Sequence, residues 1–237
     1  MGSLKNRLSF AAGYLLIICT VLGAVIWGSS TVTVISETRP IERKHCIIID
    51  AGHGGEDGGA TSCTGKLESA FNLDIALRLR DLFHLLGYET KMIRTGDISV
   101  YTKGETIAQK KVSDLQERVR MVDETENGLL VSIHQNQFSD SRYYGAQVFY
   151  AGTEGSDRLA KTMQEMFVQT LNPGSTRKSK RAEGIYLMEH IECTGVLVEC
   201  GFLSNPEEES RLRQPEYQKM LCCVVSTSIC KYLEKGG

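Results

Sequence analysis

Three short apolar runs, each followed closely by an ionisable residue, most strongly constrain the fold of this chain. The runs cover residues 47–49, 129–133 and 196–198, and the ionisable residues are His53, His134 and Glu199. Runs of this kind are typical of strands buried in a largely parallel sheet. Ligands bind at the carboxyl ends of the strands in such sheets. We therefore expect His53, His134 and Glu199 to meet at one edge of the sheet.

Helical patterns alternate with the predicted strands. Apolar residues recur at positions 67, 71, 75, 79, 83 and 86, the spacing of an amphipathic helix, and Gly87 ends that helix. Further helices are predicted at residues 155–171, after Asn205-Pro206, and from Pro215 to residue 233. Strands are predicted at residues 46–50, 88–93, 128–133, 145–150, 185–188 and 195–199. The alternation predicts an α/β fold, a single domain with a mostly parallel, six-stranded sheet flanked by helices.

The segment between the second and third strands is long and polar. Residues 94–112 are predicted to form a loop, and a loop of this length in a compact domain is usually functional or mobile. Ser113 and Gln116 match a capping box, so a helix is expected to begin there. Arg94 and Arg118 are expected to be structural ion-pair partners.

The N-terminal segment has the composition of a membrane-spanning helix. Residues 10–27 contain no charged residue and follow Lys5 and Arg7. A spanning helix needs about 20 apolar residues, and basic residues before it favour a cytoplasmic N-terminus. We expect a short cytoplasmic basic segment at 1–9, a transmembrane anchor at 10–27, a linker at 28–44 and an exported domain at 45–237. A cleaved signal peptide and a buried core helix are the alternatives.

Charge and cysteine content argue against two classes of protein. With a formal net charge of −2, nothing in the composition argues for a general nucleic-acid binder. The eight cysteines include no Cys-x-x-Cys motif, and several lie in apolar runs. Most of them are therefore expected to be small buried hydrophobes rather than a disulfide framework.

Two histidines and two glutamates form the candidate chemical centre. Glu68 lies in the first turn of the helix after the His53 loop, so it is expected at the same sheet edge as His134. Two imidazoles and one carboxylate are a common ligand set for catalytic zinc. We predict that His53, Glu68 and His134 bind one zinc ion and that Glu199 is the general base. Each also has a structural explanation: a histidine that only closes a strand, or a carboxylate that only stabilises a helix N-terminus.

Five glycines surround His53, at positions 52, 54, 55, 58 and 59. The loop lacks a Gly-Lys-Ser/Thr phosphate-binding motif, and it contains Glu56 and Asp57, which repel anions. The glycines are therefore expected to let the backbone approach a metal or a substrate closely.

Four motifs, in this order, resemble those of a known enzyme family. They are Ile48-Ile-Asp-Ala-Gly-His-Gly-Gly55 with Asp57-Gly-Gly-Ala60, Lys66-Leu-Glu68, Val131-Ser-Ile-His-Gln-Asn136, and Val196-Leu-Val-Glu-Cys-Gly-Phe-Leu-Ser-Asn205. The family is the zinc-dependent N-acetylmuramoyl-L-alanine amidases of type 3, and the resemblance extends from Ile47 to the C-terminus. The departures are Ala51, where many relatives have Pro, and Cys200, where Val is common.

Other features resemble the germination-specific, spore-cortex members of that family. They are the basic segment 175–181 before residues 184–188, the long segment 94–112, the single anchor and the absence of repeats. The resemblance implies that the chain removes stem peptides from muramic acid in the spore cortex. A peptidoglycan deacetylase would then complete the muramic-δ-lactam. A membrane-anchored, extracytoplasmic location and a protein activator are further expectations.

The resemblance also implies a reaction and substrate contacts. One Zn²⁺ in the amidase domain, residues 45–237, would polarise the amide carbonyl, while Glu199 takes a proton from the attacking water and gives it to the leaving amine. Asn136 is a candidate for orienting the substrate or for closing the turn after His134. Four basic residues are candidates for binding stem-peptide carboxylates, or else form a solvated loop: Arg177, Lys178, Lys180 and Arg181.

Two other classes of function stay open. A zinc peptidase that trims stem peptides would use the same four residues. A non-catalytic scaffold that binds the cell wall would need none of them, and the presence of all four argues against it. The products released from peptidoglycan distinguish the three functions.

Overall fold

A six-stranded sheet lies at the centre of residues 45–236, the part of the chain that the computed structural model describes. The strands are β1 (Cys46–Ala51), β2 (Glu89–Met92), β3 (Gly128–Asn136), β4 (Gln147–Tyr150), β5 (Lys180–Arg181) and β6 (Thr194–Phe202). The helices are α1 (Glu68–Leu85), α2 (Ile107–Asp123), α3 (Ser156–Thr170), α4 (Tyr186–His190), α5 (Pro206–Leu212) and α6 (Pro215–Glu234). The predicted α/β domain with a six-stranded sheet is confirmed.

The three strands that lead to the candidate residues are adjacent in the sheet, whose order is β2-β1-β3-β6-β4-β5. β1 pairs with β3, and β3 pairs with β6, all in parallel. His134 on β3 aligns with Glu199 on β6. Because neighbouring strands are about 4.8 Å apart, the two residues lie side by side. β4 runs antiparallel to β6, so the sheet is mostly parallel, as predicted.

Helices cover both faces of the sheet. On one face, α1, α3 and α6 pack on alternate strand residues such as Ile47, Ile49 and Val131. On the other face, α2 and α4 pack on Ile48 and Leu130. The central strands therefore bury apolar side chains on both faces, which explains their continuous apolar runs.

The predicted start of α2 is wrong. The helix begins at Ile107, and its capping box is formed by Thr106 and Gln109 rather than by Ser113 and Gln116. Ser113 is buried inside the helix, where its hydroxyl accepts hydrogen bonds from two N–H groups of the preceding loop. Both pairs have the same spacing, but only Thr106 lies where the backbone N–H groups of a helix start lack partners. Residues 107–112 are thus helical and not part of the loop.

The predicted strand at residues 185–188 is also wrong. Helix α4 begins at Tyr186, and its Leu187 and Met188 are buried. The fifth strand is instead β5, two exposed residues paired with β4. A short apolar run has no periodicity that separates a buried helical turn from a strand.

The predicted N-terminal anchor lies outside the described residues, as do the basic segment and the linker beside it. Within residues 45–236, no helix combines the length and the apolar content that crossing a membrane requires. Membrane anchoring and export therefore stay predictions.

The seven cysteines of the described part of the chain are free. Cys46, Cys200 and Cys222 are buried, which confirms the prediction of small buried hydrophobes for these three. Cys63 and Cys223 are exposed and do not follow it.

Candidate metal centre

Three side chains converge where the carboxyl ends of the parallel strands lie. The possible ligand atoms of His53, Glu68 and His134 all lie within 4.8 Å of one another. The Glu68 carboxylate lies between the imidazoles, with Oε2 3.3 Å from His53 Nε2 and Oε1 3.0 Å from His134 Nδ1. The two rings meet edge to face, with their centroids 5.0 Å apart. The structure thus brings together the three residues that the sequence singled out as ligands.

The backbone around His53 is shaped to let these side chains pack closely. His53 has a φ of 60°, in the left-handed region that non-glycine residues rarely adopt. A Cβ atom on Gly52 would overlap the His134 imidazole. A Cβ atom on Gly59 would lie 2.6 Å from Glu68 Oε2 and 2.7 Å from His53 Cδ2. Glycine at 52 and 59 is therefore a condition for the cluster to form.

Glu68 is a buried carboxylate with a full set of hydrogen-bond donors. It is the first residue of α1, and its side chain is 5% exposed. Oε2 accepts from the N–H of Ala60 at 3.0 Å, and Oε1 accepts from the N–H of Gln135 and the amide of Asn72, each at 3.2 Å. Burial raises the pKa of Glu68, but hydrogen bonds and charge attraction from the two imidazoles outweigh it, and the net pKa lies far below the usual range. Glu68 is therefore an anion near neutral pH.

Asp57 orients the His53 ring from outside the cluster. Its Oδ2 lies 2.9 Å from His53 Nδ1. When Nδ1 carries the hydrogen and donates it to Asp57, the lone pair of Nε2 is free to bind a metal ion at the cluster. Burial lowers the pKa of His53, but hydrogen bonds and charges from Glu68 and Asp57 raise it more, so the net shift is upward. A carboxylate on the outer nitrogen is the usual partner of a metal-binding histidine.

The donor set of the cluster fits a zinc ion. Two imidazole nitrogens and one carboxylate oxygen are the ligands of many catalytic zinc sites, in which a further position stays open for water or substrate. Both histidine side chains are 20% exposed, so the cluster is reachable from solvent. Glu68 is anionic without help from the ion, which favours binding of a dication.

Glu199 lies next to this cluster, in surroundings that differ from those of Glu68. It aligns with His134 on β3 and with Gln147 on β4. Its Oε2 is buried and has no hydrogen-bond partner within residues 45–236. Burial raises the pKa of Glu199 to about 7; His134 opposes this shift, and the Glu68 carboxylate adds to it. A buried carboxylate oxygen without a hydrogen-bond donor lowers the stability of the fold. Its presence therefore indicates a chemical role.

Arg94 connects the two segments that carry His53 and Glu68. It is 2% exposed, and its guanidinium donates to four backbone carbonyl oxygens at 2.7–2.9 Å, those of Ala51, Gly52, Ser69 and Gly96. The end of β1 and the first turn of α1 are therefore held to one side chain. The predicted ion pair of Arg94 is wrong, because its hydrogen-bond partners in the described part of the chain are carbonyl oxygens.

Asn72 is a second residue of this network that was not predicted. Its amide donates to Gly52 O and to Glu68 Oε1, each at 3.2 Å, and its carbonyl oxygen accepts from Gln135 at 3.2 Å. Asn72 is fully buried and lies one helical turn after Glu68. That spacing of four residues was the available signal in the sequence.

Arg118 forms the ion pairs predicted for it. It is buried and pairs with Asp50 and, at 2.6 Å, with Asp114. It also donates to the carbonyl oxygen of His53 at 2.8 Å, which joins α2 to the metal-side loop. Burial raises the pKa of Asp50, but Arg118 and a hydrogen bond from Ser132 outweigh it and hold the pKa below the usual range.

Three of the predicted substrate-binding residues lie near the end of the sheet that carries the cluster: Asn136, Arg177 and Lys178. Asn136 ends β3, after a register shift that follows His134. Arg177 Nη1 is 3.5 Å from Gln147 Oε1, and the carbonyl oxygen of Lys178 accepts from Gln147 Nε2 at 2.8 Å. Gln147 is the residue of β4 that pairs with Glu199.

Lys180 and Arg181 lie farther from Glu199. They form β5 and align with Phe149 and Tyr150 of β4, which pair with β6 residues that precede Glu199. Both are exposed. The basic segment therefore starts beside the site and runs away from it.

Fold and site together define a class of protein: an α/β domain in which a cluster able to bind a metal lies at the ends of neighbouring parallel strands. The sequence profile described as N-acetylmuramoyl-L-alanine amidase matches residues 47–231. The chain therefore belongs to this family of enzymes, which hydrolyse the amide bond between N-acetylmuramic acid and L-alanine. Zinc dependence is typical of the family, and the cluster of His53, Glu68 and His134 is able to bind a metal.

Individual relatives agree with this assignment. The germination-specific N-acetylmuramoyl-L-alanine amidase of Bacillus subtilis is 37% identical over 194 residues, which are 81% of each chain. LytC of the same organism is 31% identical over 175 residues, which are 73% of this chain and 32% of LytC. The CwlD amidase from Clostridioides difficile, solved in complex with the GerS lipoprotein, matches with a TM-score of 0.76 and 36% identity over 80% of this chain and 98% of that chain. The predicted resemblance to germination-specific amidases is confirmed.

Proposed function

We propose that the chain removes stem peptides from muramic acid in the spore cortex, with one zinc ion held by His53, Glu68 and His134 and with Glu199 as general base. The observation that carries these roles is the contrast between two carboxylates beside the same imidazoles. Glu68 accepts hydrogen bonds on both oxygens, whereas Oε2 of Glu199 is buried and without a partner in the described residues. The identity of 37% to a germination-specific amidase supports the cortex as the site of action.

The roles of the side chains follow from their positions. Zinc at this site would polarise the lactyl amide carbonyl and activate a water molecule. Glu199 accepts a proton from the attacking water at Oε2 and donates it to the departing amine of L-alanine. Burial raises its pKa to about 7, and a cation bound at the cluster would lower that pKa and favour the anionic form that accepts the proton. Asp57 keeps His53 Nε2 directed at the cluster.

We further propose that Asn136, Arg177 and Lys178 contact the stem peptide. Their positions beside Gln147 and the end of β3 place them near Glu199, and stem peptides carry free carboxylates that basic side chains bind. Lys180 and Arg181, farther along β5, would reach only the distal part of a peptide.

The cellular setting is also a proposal. Residues 10–27 anchor the chain in a membrane, and the domain after them acts outside the cytoplasm. The product, muramic acid without a peptide, is the substrate of a peptidoglycan deacetylase that completes the δ-lactam. The CwlD amidase of C. difficile was solved in complex with a lipoprotein, and we propose an accessory lipoprotein for this chain as well.

Mass spectrometry of digested cortex peptidoglycan tests the function. The full-length chain, loaded with zinc and supplied with the lipoprotein from its own organism, is expected to release stem peptides that begin with L-alanine. The matched control is Glu199→Gln, which is expected to keep zinc and to release peptides about 10²–10⁴-fold more slowly. Shortened peptides would instead identify a zinc peptidase. Unchanged glycan from protein with stoichiometric zinc would identify a wall-binding scaffold.

A further inference from the structure

Three aromatic side chains are exposed in one surface loop, residues 138–144. The exposed fractions are 51% for Phe138, 47% for Tyr143 and 56% for Tyr144. No other phenylalanine or tyrosine of the described chain is exposed to this degree. Exposed aromatic rings that are close together usually mark a binding surface, because leaving them in water is unfavourable. We call residues 138–144 the aromatic loop.

The aromatic loop is held in place by several hydrogen bonds. The N–H of Phe138 donates to Ser204 Oγ at 3.1 Å, and Asn205 Nδ2 donates to the carbonyl oxygen of Tyr143 at 3.3 Å. Arg177 Nη2 donates to the carbonyl oxygen of Tyr144 at 3.1 Å. Both ends of the loop are therefore fixed to neighbouring segments. A surface ordered before binding loses less entropy when it takes a ligand.

The rings of the loop also pack on one another and on the sheet. Phe138 and Tyr143 meet edge to face with centroids 4.8 Å apart, and Tyr143 lies 6.1 Å from the ring of Phe202. The guanidinium of Arg177 lies 5.2 Å from the centroid of Phe202. Phe202 is buried and ends β6. The exposed rings of Phe138 and Tyr143 are thus supported by a buried one.

The aromatic loop and the Phe202 ring beneath it both lie close in sequence to residues of the metal centre. Phe138 follows His134 by four residues, and Phe202 follows Glu199 by three. Asn136 and Phe202 are aligned at the ends of β3 and β6. A polymeric substrate with its reacting group at the cluster would extend over this surface.

The charge of the loop favours a neutral ligand. Its two charged residues, Asp140 and Arg142, pair with each other at 2.7 Å. Little free charge is left for a peptide carboxylate or an anionic lipid headgroup. Pyranose rings present an apolar C–H face, slightly positive, which matches the negative face of an aromatic ring. The sugars of a glycan strand are neutral wherever the lactyl group is in amide linkage.

We propose that the aromatic loop binds the glycan strand that flanks the muramic acid being cleaved, with Phe138, Tyr143 and Tyr144 in contact with its pyranose rings. The proposal rests on the function proposed above, since it takes that substrate as the ligand. It assigns specificity for polymeric peptidoglycan to the aromatic loop and leaves recognition of the stem peptide to the basic segment.

Binding of neutral glycan strands of β-1,4-linked N-acetylglucosamine by the full-length chain tests the proposal without any bond being cleaved. The double variant Phe138→Ala/Tyr144→Ala is expected to raise the Kd for these strands about tenfold, since each ring contact contributes a few-fold in affinity. Tyr144→Phe, which keeps the ring, is expected to bind like the parent. Leu85→Ala is the matched control, because Leu85 is 84% exposed and lies at the far end of α1 from Glu68.

A second measurement separates the aromatic loop from the reaction itself. The double variant is expected to hydrolyse a soluble muramyl peptide without flanking sugars at the parent rate, and to show a raised KM on polymeric peptidoglycan. Unchanged glycan affinity would overturn the proposal, as would equal losses on both substrates. Loss of lipoprotein capture with unchanged glycan affinity would assign the surface to a protein partner instead. If the parent hydrolyses neither substrate, the amidase function fails, while the glycan Kd still decides the present proposal.

Discussion

The metal centre has two sides, and each side surrounds a glutamate carboxylate with a different set of hydrogen-bond partners. On the side of β1 and α1, Glu68 accepts hydrogen bonds from the N–H groups of Ala60, Asn72 and Gln135, and its pKa lies far below the usual range. On the side of β6, Glu199 has a buried oxygen without a partner in the described residues, and its pKa is raised to about 7. The surroundings of a glutamate thus decide whether it suits a ligand or a base.

The difference extends beyond the two carboxylates. The Glu68 side is supported by a buried network in which Arg94 and Asn72 both donate to the carbonyl oxygen of Gly52. The Glu199 side instead borders surface features, the basic segment and the aromatic loop. A rigid side for the ion and an open side for the substrate are what a metal-dependent hydrolase requires.

Removing the ligand of the rigid side is expected to have the largest effect. Glu68→Ala takes away the anion between the imidazoles and leaves the N–H groups of Ala60 and Gln135 without their acceptor. Zinc content and peptide release should fall together to the level of metal-free protein. Asp81→Ala, an exposed site on the same helix, is the control and should keep both. Stoichiometric zinc in Glu68→Ala would remove Glu68 from the ligand set.

Neutralising the carboxylate of the open side is expected to leave the metal in place. Glu199→Gln should lower kcat by about 10²–10⁴-fold, the usual range for loss of a general base. KM should change little, because the interaction is made mainly in the transition state. Zinc content, melting temperature and peptide release are measured on one preparation. Parent-like turnover in folded, zinc-loaded protein would exclude Glu199 as the base.

Asp57 sharpens the comparison, since it supports the rigid side from outside the ligand set. Asp57→Asn no longer offers a charged acceptor to His53 Nδ1. Loss of such an outer partner weakens metal affinity by roughly 10–100-fold. Competition with a chelator measures the zinc affinity of each variant. If Asp57→Asn and Glu56→Ala, a change in the neighbouring exposed carboxylate, bind zinc equally well, the orienting role assigned to Asp57 is incorrect.

The smallest effect on activity, and a clear effect on stability, is expected at Asp50. Its pKa is depressed in the folded state, so its contribution to stability is present above the unfolded pKa of about 3.9 and is lost as the pH falls through the folded value. Asp50→Asn should lower the free energy of unfolding by about 3–5 kcal/mol near neutral pH, because Arg118 stays buried without that partner.

Urea unfolding from pH 7 to pH 3 gives the measurement for Asp50. The parent should lose stability with acid below about pH 4, and Asp50→Asn should lose less over the same range. An identical acid dependence in both proteins would show that other carboxylates account for it.

The central strands could be predicted because a strand that is buried on both faces of the sheet has a continuous run of apolar residues. The capping box of Thr106 and Gln109 was not predicted because the first turns of α2 do not pack on the core, so they have no apolar stripe that indicates a helix. Ile107 is 71% exposed and Val112 is 54% exposed. β5 carries no signal either, since both of its residues are exposed at the sheet edge. Elements that bury little surface leave little pattern.

The site could be predicted as far as its charged residues and no further. His53, His134 and Glu199 follow apolar runs, and Glu68 starts a helix, so topology alone brings them together. Arg94 was assigned an ion pair because charge suggests a charged partner. Its partners are carbonyl oxygens, and every residue has one, so no sequence pattern reveals that choice.

The antiparallel direction of β4 has a consequence for how this enzyme can change. Because β3 ends and β4 begins at the same edge, the connection between them never has to travel to the other end of the sheet. β6 lies between the two strands, so residues 137–146 pass over its carboxyl end. Insertions or deletions in this connection alter what surrounds Glu199 while the strand order stays as it is. The length of this segment can therefore change without rearranging the strands of the sheet.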